Sequence, residues 1–398
     1  MYTLKKLAEL VAKAGSGSFY VASRQDVRRS VAQWKGLLPS VTPYYAVKSN
    51  HSSILLEWLH DDGVHFDCAS VGEIKSVLDM GALPNQIIYA NPCKARSDIV
   101  FAKGAAVNRT VVDSYEEIDK LVEERWQGDA LLRILVDDTK SVVPFGRKFG
   151  IPLSEVAAIS KYAERKLALA GISFHVGSGC QDVSQYTRAI EQASESIEIL
   201  REHHHAHVID IGGGFTEESF SDSARVIRRA IRDIPPHTSI IAEPGRYFSE
   251  GSHALFVKVI GKKANNGRPG YRYTIDESVY GQFSCIPFDC AKPTWIRIGE
   301  GERKKTPAIL FGRTCDSVDM IAMSDSTEEL MEGDWLLFPR MGAYTSVTSS
   351  EFNGFPRPPV HVIEESLRYL IPTIENRLVQ ENRLIHYVSP VTVPALRP

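Results

Sequence analysis

Eight apolar runs, each closed by a polar residue or a glycine, constrain this chain more than any other feature of it. They end near Lys48, Asp67, Asn91, Asp113, Asp137, His175, Gly212 and Glu243. Amphipathic stretches lie between them, at 53–60, 70–80, 114–124, 154–165 and 185–202. Several open on serine, whose hydroxyl caps the exposed N–H groups of a helix's first turn. Eight strands alternating with helical or loop segments over about 220 residues predict an α/β fold, a (β/α)8 TIM barrel. A doubly wound sheet is the competing architecture. It would carry a Gly-x-Gly-x-x-Gly turn after its first strand, and the chain has none.

After Glu243 the texture changes. Short strand-like runs at 255–260, 271–275, 295–298, 308–311, 335–338 and 360–363 are split by Gly, Pro and Asp turns. They predict a second, mostly antiparallel all-β domain. A chain of 398 residues is too long for one ordinary core. The expected division is a barrel over 25–253 and a β-domain over 254–398. Residues 18–21 read as a strand, so 1–24 are expected to pack on the β-domain. Leu367, Leu370, Ile374 and Leu378 carry a weak helical period, predicting a terminal helix.

A net charge of −3 gives no electrostatic reason to expect nucleic acid or an anionic membrane as partner. No apolar run reaches membrane-spanning length, and the N-terminus lacks a signal-peptide layout. A cytoplasmic protein with reduced thiols is the expectation. The only close cysteine pair, Cys285 and Cys290, has no second pair to complete a zinc site. The run His203-His-His-Ala-His207 reads as an exposed helix end, because consecutive histidines do not share a helix face. No metal is expected.

In such a barrel the chemistry sits where strands end. Lys48, Asp67, His175, Gly212–Gly214 and Glu243 should therefore converge. Asp67 could simply cap the next helix, and His175 could be a satisfied core histidine. A lysine beside a low-dielectric core has a lowered pKa, which frees the lone pair a Schiff base needs. Gly212, Gly213 and Gly214 follow the seventh run and let backbone N–H groups approach an anion. Gly245 and Arg246 follow the eighth, and a guanidinium suits phosphate. A phosphate site beside an amine points to pyridoxal 5′-phosphate. Glu243 would then partner the pyridine nitrogen, and His175 would stack on the ring.

The runs Tyr45-Ala-Val-Lys-Ser-Asn50, Phe66-Asp-Cys-Ala-Ser70, Ile87-Ile-Tyr-Ala-Asn-Pro-Cys-Lys94, Ser173-Phe-His-Val-Gly-Ser-Gly-Cys180, Asp210-Ile-Gly-Gly-Gly-Phe215 and Glu243-Pro-Gly-Arg-Tyr247 closely resemble those of the eukaryotic-type ornithine decarboxylases. That family comprises barrel-fold, fold type III, pyridoxal-phosphate-dependent amino-acid decarboxylases. The resemblance continues through Tyr280–Cys285, Cys315–Asp319, Gly333–Trp335, Met341–Thr345 and Phe352–Phe355, over about residues 18–365. It implies that Lys48 is the Schiff-base lysine, supported by Asp67 and Glu73. His175 would stack on the cofactor and Glu243 pair with its nitrogen. Ser178, Gly212, Gly213, Gly214, Gly245, Arg246 and Tyr344 would hold the phosphate. Asp289, with Asp316 of a second subunit, would bind the substrate's distal ammonium. Cys315 of that second subunit would return a proton to Cα. A homodimer with shared active sites and the conversion of L-ornithine to putrescine and carbon dioxide are thereby implied.

Three positions depart from the family pattern. Phe288-Asp-Cys-Ala291 stands where Tyr-Asp-His-Ala is usual, so Phe288 and Cys290 put side-chain length selection in question and bring in L-lysine as an alternative substrate. Pro144 falls where an arginine near the cofactor is usual, and Arg147 stands three residues away. The competing readings are a specialised enzyme with altered chemistry and a catalytically dead, antizyme-inhibitor-like binding protein. Retention of Lys48, Asp67, His175, Ser178, Glu243, Cys315 and Asp316 argues against the second.

Overall fold

The computed structural model describes residues 17–299 and 301–370, together with 10, 15 and 385–386. It divides into two units. One spans Arg28–Phe248, and the other joins the N-terminal segment through Val27 to the chain from Ser249 onward.

The first unit is a closed barrel of eight parallel strands: β1 (Val41–Ala46), β2 (His65–Cys68), β3 (Ile87–Tyr89), β4 (Arg109–Val112), β5 (Asp129–Arg133), β6 (Leu169–Ser173), β7 (Val208–Asp210) and β8 (Ser239–Ala242). Closure is made by β8 against β1, with Ile240 opposite Val41 and Ala242 opposite Pro43. A doubly wound open sheet is thereby excluded. Seven strands each send one side chain into a common cluster: Tyr44, Ile88, Val111, Leu131, Ala170, Val208 and Ile241. The barrel is thus filled, and polar groups are left to its rims.

The helices between strands are α1 (Ser53–Asp61), α2 (Val71–Asp79), α3 (Arg96–Gly104), α4 (Tyr115–Glu123), α5 (Val156–Ala163), α6 (Ser184–Arg201) and α7 (Phe220–Ala230). In α6, Tyr186, Ala189, Ile190, Ala193, Ile197 and Leu200 are buried, the three-and-four spacing of one helical face. Ser70 and Ser114 cap α2 and α4 by accepting from the backbone N–H of Glu73 and Glu117, each at 3.2 Å.

The second unit is a mixed sheet built around the long strand His253–Ala264, which pairs antiparallel with Phe19–Ser23, Tyr271–Ile275 and Trp335–Phe338. Lys305–Phe311 pairs antiparallel with Met320–Glu328, a strand the sequence pattern did not suggest. Two pairings are parallel: Tyr271–Ile275 with Lys305–Phe311, and Phe19–Ser23 with Val360–Ile363. Leu255, Val257, Tyr273, Leu310, Ile321 and Leu336 lie in its main core. Leu367–Leu370 is helical, while the expected helical positions Ile374 and Leu378 lie outside the described residues. No helix among the described residues is long and apolar enough to cross a membrane.

Candidate active site

Lys48 lies in a 3-10 turn, Val47–Ser49, just past the end of β1. The turn rotates its side chain outward, and 42% of it is exposed. The amine therefore lies half open, where a lysine packed beside the core was expected. Its Nζ is instead held 3.3 Å from Oδ2 of Asp67, on β2, a carboxylate that is 1% exposed. The pair is half open to solvent, so it orients the amine more than it stabilises the fold.

Asp67 does not cap α2, because Ser70 takes that role. Glu73, in the first turn of α2, accepts the Ala69 N–H at 2.6 Å. Burial raises its pKa to about 6, the Ala69 N–H opposes the rise, Asp67 adds to it and Lys48 opposes it. Lys48, Asp67 and Glu73 thus form one electrostatic group at the ends of β1 and β2.

His175 follows β6. Its Nδ1 accepts the Gly177 N–H at 2.9 Å, which leaves the ring proton on Nε2. Burial, then Arg133, then Lys48, lower its pKa well below the usual 6.5, so the imidazole is neutral. Beside it run the glycines after β7. A Cβ on Gly213 would lie 2.7 Å from the Glu243 carbonyl and 2.9 Å from His175 Nε2; Gly212, at φ +62°, could not carry one without meeting the Phe174 carbonyl at 2.2 Å. Only glycine fits this backbone against its neighbours. Gly245 is similarly close, with Ser49 Cβ at 3.0 Å. Arg246 donates to the Ser178 hydroxyl at 3.3 Å, which brings together two of the groups expected to hold phosphate.

Glu243 follows β8 and is 8% exposed. Burial, then the neighbouring Asp210 and Asp67, push its pKa well up, while Lys48 opposes the rise. Asp210 closes β7, accepts the Gly212 N–H at 2.9 Å, and is also raised, by burial first. Arg133 closes β5 within the field of Glu243, Asp113, Asp210 and Asp67, and burial lowers its pKa. The rule that strand ends carry the chemistry points to Arg133 and Asp210 as well, yet neither was singled out from sequence.

Three carboxylate oxygens at this end of the barrel, Asp67 Oδ1, Asp210 Oδ2 and Glu243 Oε1, are buried without a hydrogen-bond partner. Buried acceptors are rarely left so. Together with an accessible amine, a glycine cradle that admits no side chain, and an Arg–Ser pair, they fit a planar ring bearing a protonated nitrogen, an aldehyde carbon and a phosphate. These are the features of pyridoxal phosphate.

The remaining expected residues belong to the sheet unit. Asp289 is buried at the end of a short helix, Cys285–Asp289. Phe288 is 71% exposed. Cys290 has an exposed thiol and a left-handed backbone, φ 53°. Cys315 is exposed, and its N–H donates to Asn353 Oδ1 at 3.0 Å. Asp316 accepts the Tyr280 hydroxyl at 2.6 Å, which holds its pKa below the usual carboxylate value. Tyr344 also has a left-handed backbone, φ 55°, uncommon for an aromatic residue. Among the described residues no His, Cys, Asp or Glu cluster is placed to hold a metal ion. His204 Nε2 instead contacts the Ser160 carbonyl at 2.8 Å.

Residues 24–250 match the family model of the pyridoxal-dependent decarboxylases, pyridoxal binding domain. A probable ornithine decarboxylase of Dictyostelium discoideum is 38% identical over 92% of this chain and 84% of its own. An antizyme inhibitor 2 of Xenopus laevis is 40% identical over 86% and 80%. Among solved structures, the arginine decarboxylase of Paramecium bursaria Chlorella virus bound to agmatine superposes with a TM-score of 0.86 at 37% identity, covering 90% of this chain and 100% of that one. Fold, cradle and these matches agree: the chain belongs to the fold type III pyridoxal-phosphate-dependent amino-acid decarboxylases, the family of ornithine decarboxylase, and pyridoxal phosphate is its cofactor.

Proposed function

We propose that this protein decarboxylates L-ornithine to putrescine and carbon dioxide, as a homodimer whose active sites are shared between subunits. The observation that carries the reading is the convergence of the Lys48 amine, the glycine cradle and three buried carboxylate oxygens without a donor on one end of the barrel. Pyridoxal phosphate, when bound, supplies the electron sink that accepts the electrons left when carbon dioxide departs. Lys48 holds the cofactor, and Asp67 orients its amine. Ser178, Gly212, Gly213, Gly214, Gly245, Arg246 and Tyr344 hold the phosphate. Glu243 would pair with the ring nitrogen and share a proton with it. The neutral His175 would lie against the ring face and add no charge to it.

The exposed Cys315 thiol of a second subunit delivers a proton to Cα. Asp289, with Asp316 from that subunit, accepts the distal ammonium. A buried ammonium without a partner is costly, so two carboxylates select a basic side chain. Support for a partner surface at the Cys315–Asp316 turn comes from Val318, 67% exposed, and Phe352, 42% exposed. Phe352 packs against Tyr280, the donor to Asp316, with the two rings tilted by 32°.

L-lysine is the alternative substrate. Cys290, smaller than the family's usual histidine and directly after Asp289, favours it, and a single methylene is worth only about 1–3 kcal/mol of discrimination.

Two measurements test this. With ornithine, lysine, arginine and diaminopimelate offered separately, putrescine is the expected main product. Predominant cadaverine would make lysine the substrate, and an absence of any amine product would favour a binding role. Lys48→Ala and Cys315→Ala proteins, each nearly inactive, should recover about a quarter of wild-type activity on mixing, since half of random dimers hold one intact site of two. No recovery despite demonstrated subunit exchange would remove the shared site.

A further inference from the structure

We propose that Asp138 and Phe145 are positioning residues that set the tilt of the His175 imidazole; this rests on the reading of His175 as the residue facing the cofactor ring. The χ2 torsion of a histidine is broad, so its rotamer does not fix the angle of the ring. The Gly177 N–H holds one edge, at Nδ1. A second contact is needed to stop rotation about that bond.

Phe145 supplies it. The two rings meet edge to face, with centroids 4.8 Å apart and planes at 60°. Phe145 belongs to the segment between β5 and α5. That segment is laid on the His175 loop by a short antiparallel pairing, Ser141 opposite Cys180 and Val143 opposite Ser178. The Ser141 hydroxyl adds a bond to the Val176 carbonyl. The tip is pinned by Asp138, which is 7% exposed. Its Oδ2 accepts the N–H of Phe145 and, at 2.7 Å, that of Gly146. Both bonds hold the backbone at the residue whose side chain touches the imidazole. Asp138 therefore acts on the ring through Phe145 and touches neither cofactor nor substrate.

A small angular error at a group packed on a reacting system lowers the rate without destroying the site. In the holoenzyme, Asp138→Ala and Phe145→Ala should each lower kcat about tenfold, with KM changed less than about twofold. Each should also alter the visible circular dichroism of bound pyridoxal phosphate, which reads the asymmetry of its surroundings. Asp138→Asn keeps an acceptor oxygen and Phe145→Tyr keeps the ring, so both should retain the wild-type signal and rate. The double alanine variant should be no worse than Phe145→Ala alone, because one residue acts through the other.

Unchanged kcat and dichroism in Phe145→Ala would overturn the proposal. So would Asp138→Asn as damaged as Asp138→Ala, or additive losses in the double variant. Should Asp138→Ala fail to fold, the two Phe145 variants decide. His175→Ala separates the two levels: if it leaves rate and dichroism unchanged, the reading of His175 itself fails; if it alone changes them, only the role of Asp138 and Phe145 fails.

Discussion

Each unit buries a glutamate that burial drives toward its protonated form, Glu243 in the barrel and Glu277 in the sheet. They are 8% and 5% exposed. What differs is their hydrogen bonding. Glu277 Oε1 accepts the Ser18 hydroxyl at 3.2 Å, and its Oε2 accepts the N–H of Gln282 at 3.0 Å and of Ser278 at 3.2 Å. Glu243 Oε1 receives no hydrogen bond from an N–H or hydroxyl donor, and neither do Asp67 Oδ1 and Asp210 Oδ2 at the same end of the barrel, where the Glu243 and Asp210 carboxyls lie against each other. An unpaired buried acceptor costs about 1–3 kcal/mol. A fold tolerates several side by side where a ligand completes them. Glu277 is a staple between the N-terminal segment and the turn before Gln282; Glu243 is a socket.

Neutralising each glutamate tests that contrast. Glu243→Gln should lower kcat by about a hundredfold to a thousandfold, because the titratable carboxyl that would share a proton with the cofactor nitrogen is lost where the site is driest. Glu277→Gln should leave kcat within about twofold. Steady-state assays at saturating cofactor measure both. Equal losses would erase the distinction between socket and staple.

The contrast was only half legible in the sequence. Parallel strands of similar length bring their ends to one rim, so Lys48, Asp67, His175, the glycines and Glu243 could be placed together from strand order alone. Arg133 was missed for a physical reason. Beyond Arg133 the chain stays apolar, and Ile134 and Val136 are buried at 2% and 7%, although only an isolated bridge from Ile134 to Ile151 continues the pairing. The apolar run therefore outlasts the strand and hides its polar end. The outward turn of Lys48 depends on three residues of 3-10 geometry, which no periodicity announces. In the sheet unit the candidates sit on turns and a short helix, where burial follows no repeat. Met320–Glu328 was missed because its second half, Ser324-Asp-Ser-Thr-Glu328, carries no apolar residue, yet Ser324 and Thr327 are buried.

Stability against pH sharpens the comparison next. The pKa of Glu277 is raised from 4.5 to about 7, mainly by burial. The folded state therefore binds this proton more tightly than the unfolded chain, and stability falls as pH rises through that interval. The full loss, reached above about pH 7, is on the order of 3 kcal/mol. Glu277→Gln removes the titration and should flatten the fall. Denaturant midpoints of the two proteins, taken from pH 4.5 to 8, read the difference. Parallel curves would mean that Glu277 is ionised at little cost and that its three donors suffice.

The smallest expected effect is the one most able to break the rule that a satisfied carboxylate is structural. Asp316 is satisfied by the Tyr280 hydroxyl and the Val318 N–H, and both lower its pKa. By hydrogen bonding alone it resembles Glu277. It differs in being only partly covered, on a turn bordered by the exposed Val318. The carboxylate is kept ionised and aimed, which suits a group that meets a cation only during turnover. Tyr280→Phe removes the aiming bond and leaves the ring packed against Phe352, with centroids 4.5 Å apart. KM for the diamino acid should rise about threefold with kcat unchanged, the signature of lost uniform binding. The pKa of Asp316 moves up only toward its usual 3.8, so the carboxylate stays ionised and the defect should be the same at pH 5 as above 7. A KM that does not move at either pH would return Asp316 to the structural class, and with it the assignment of the Cys315–Asp316 turn to substrate binding.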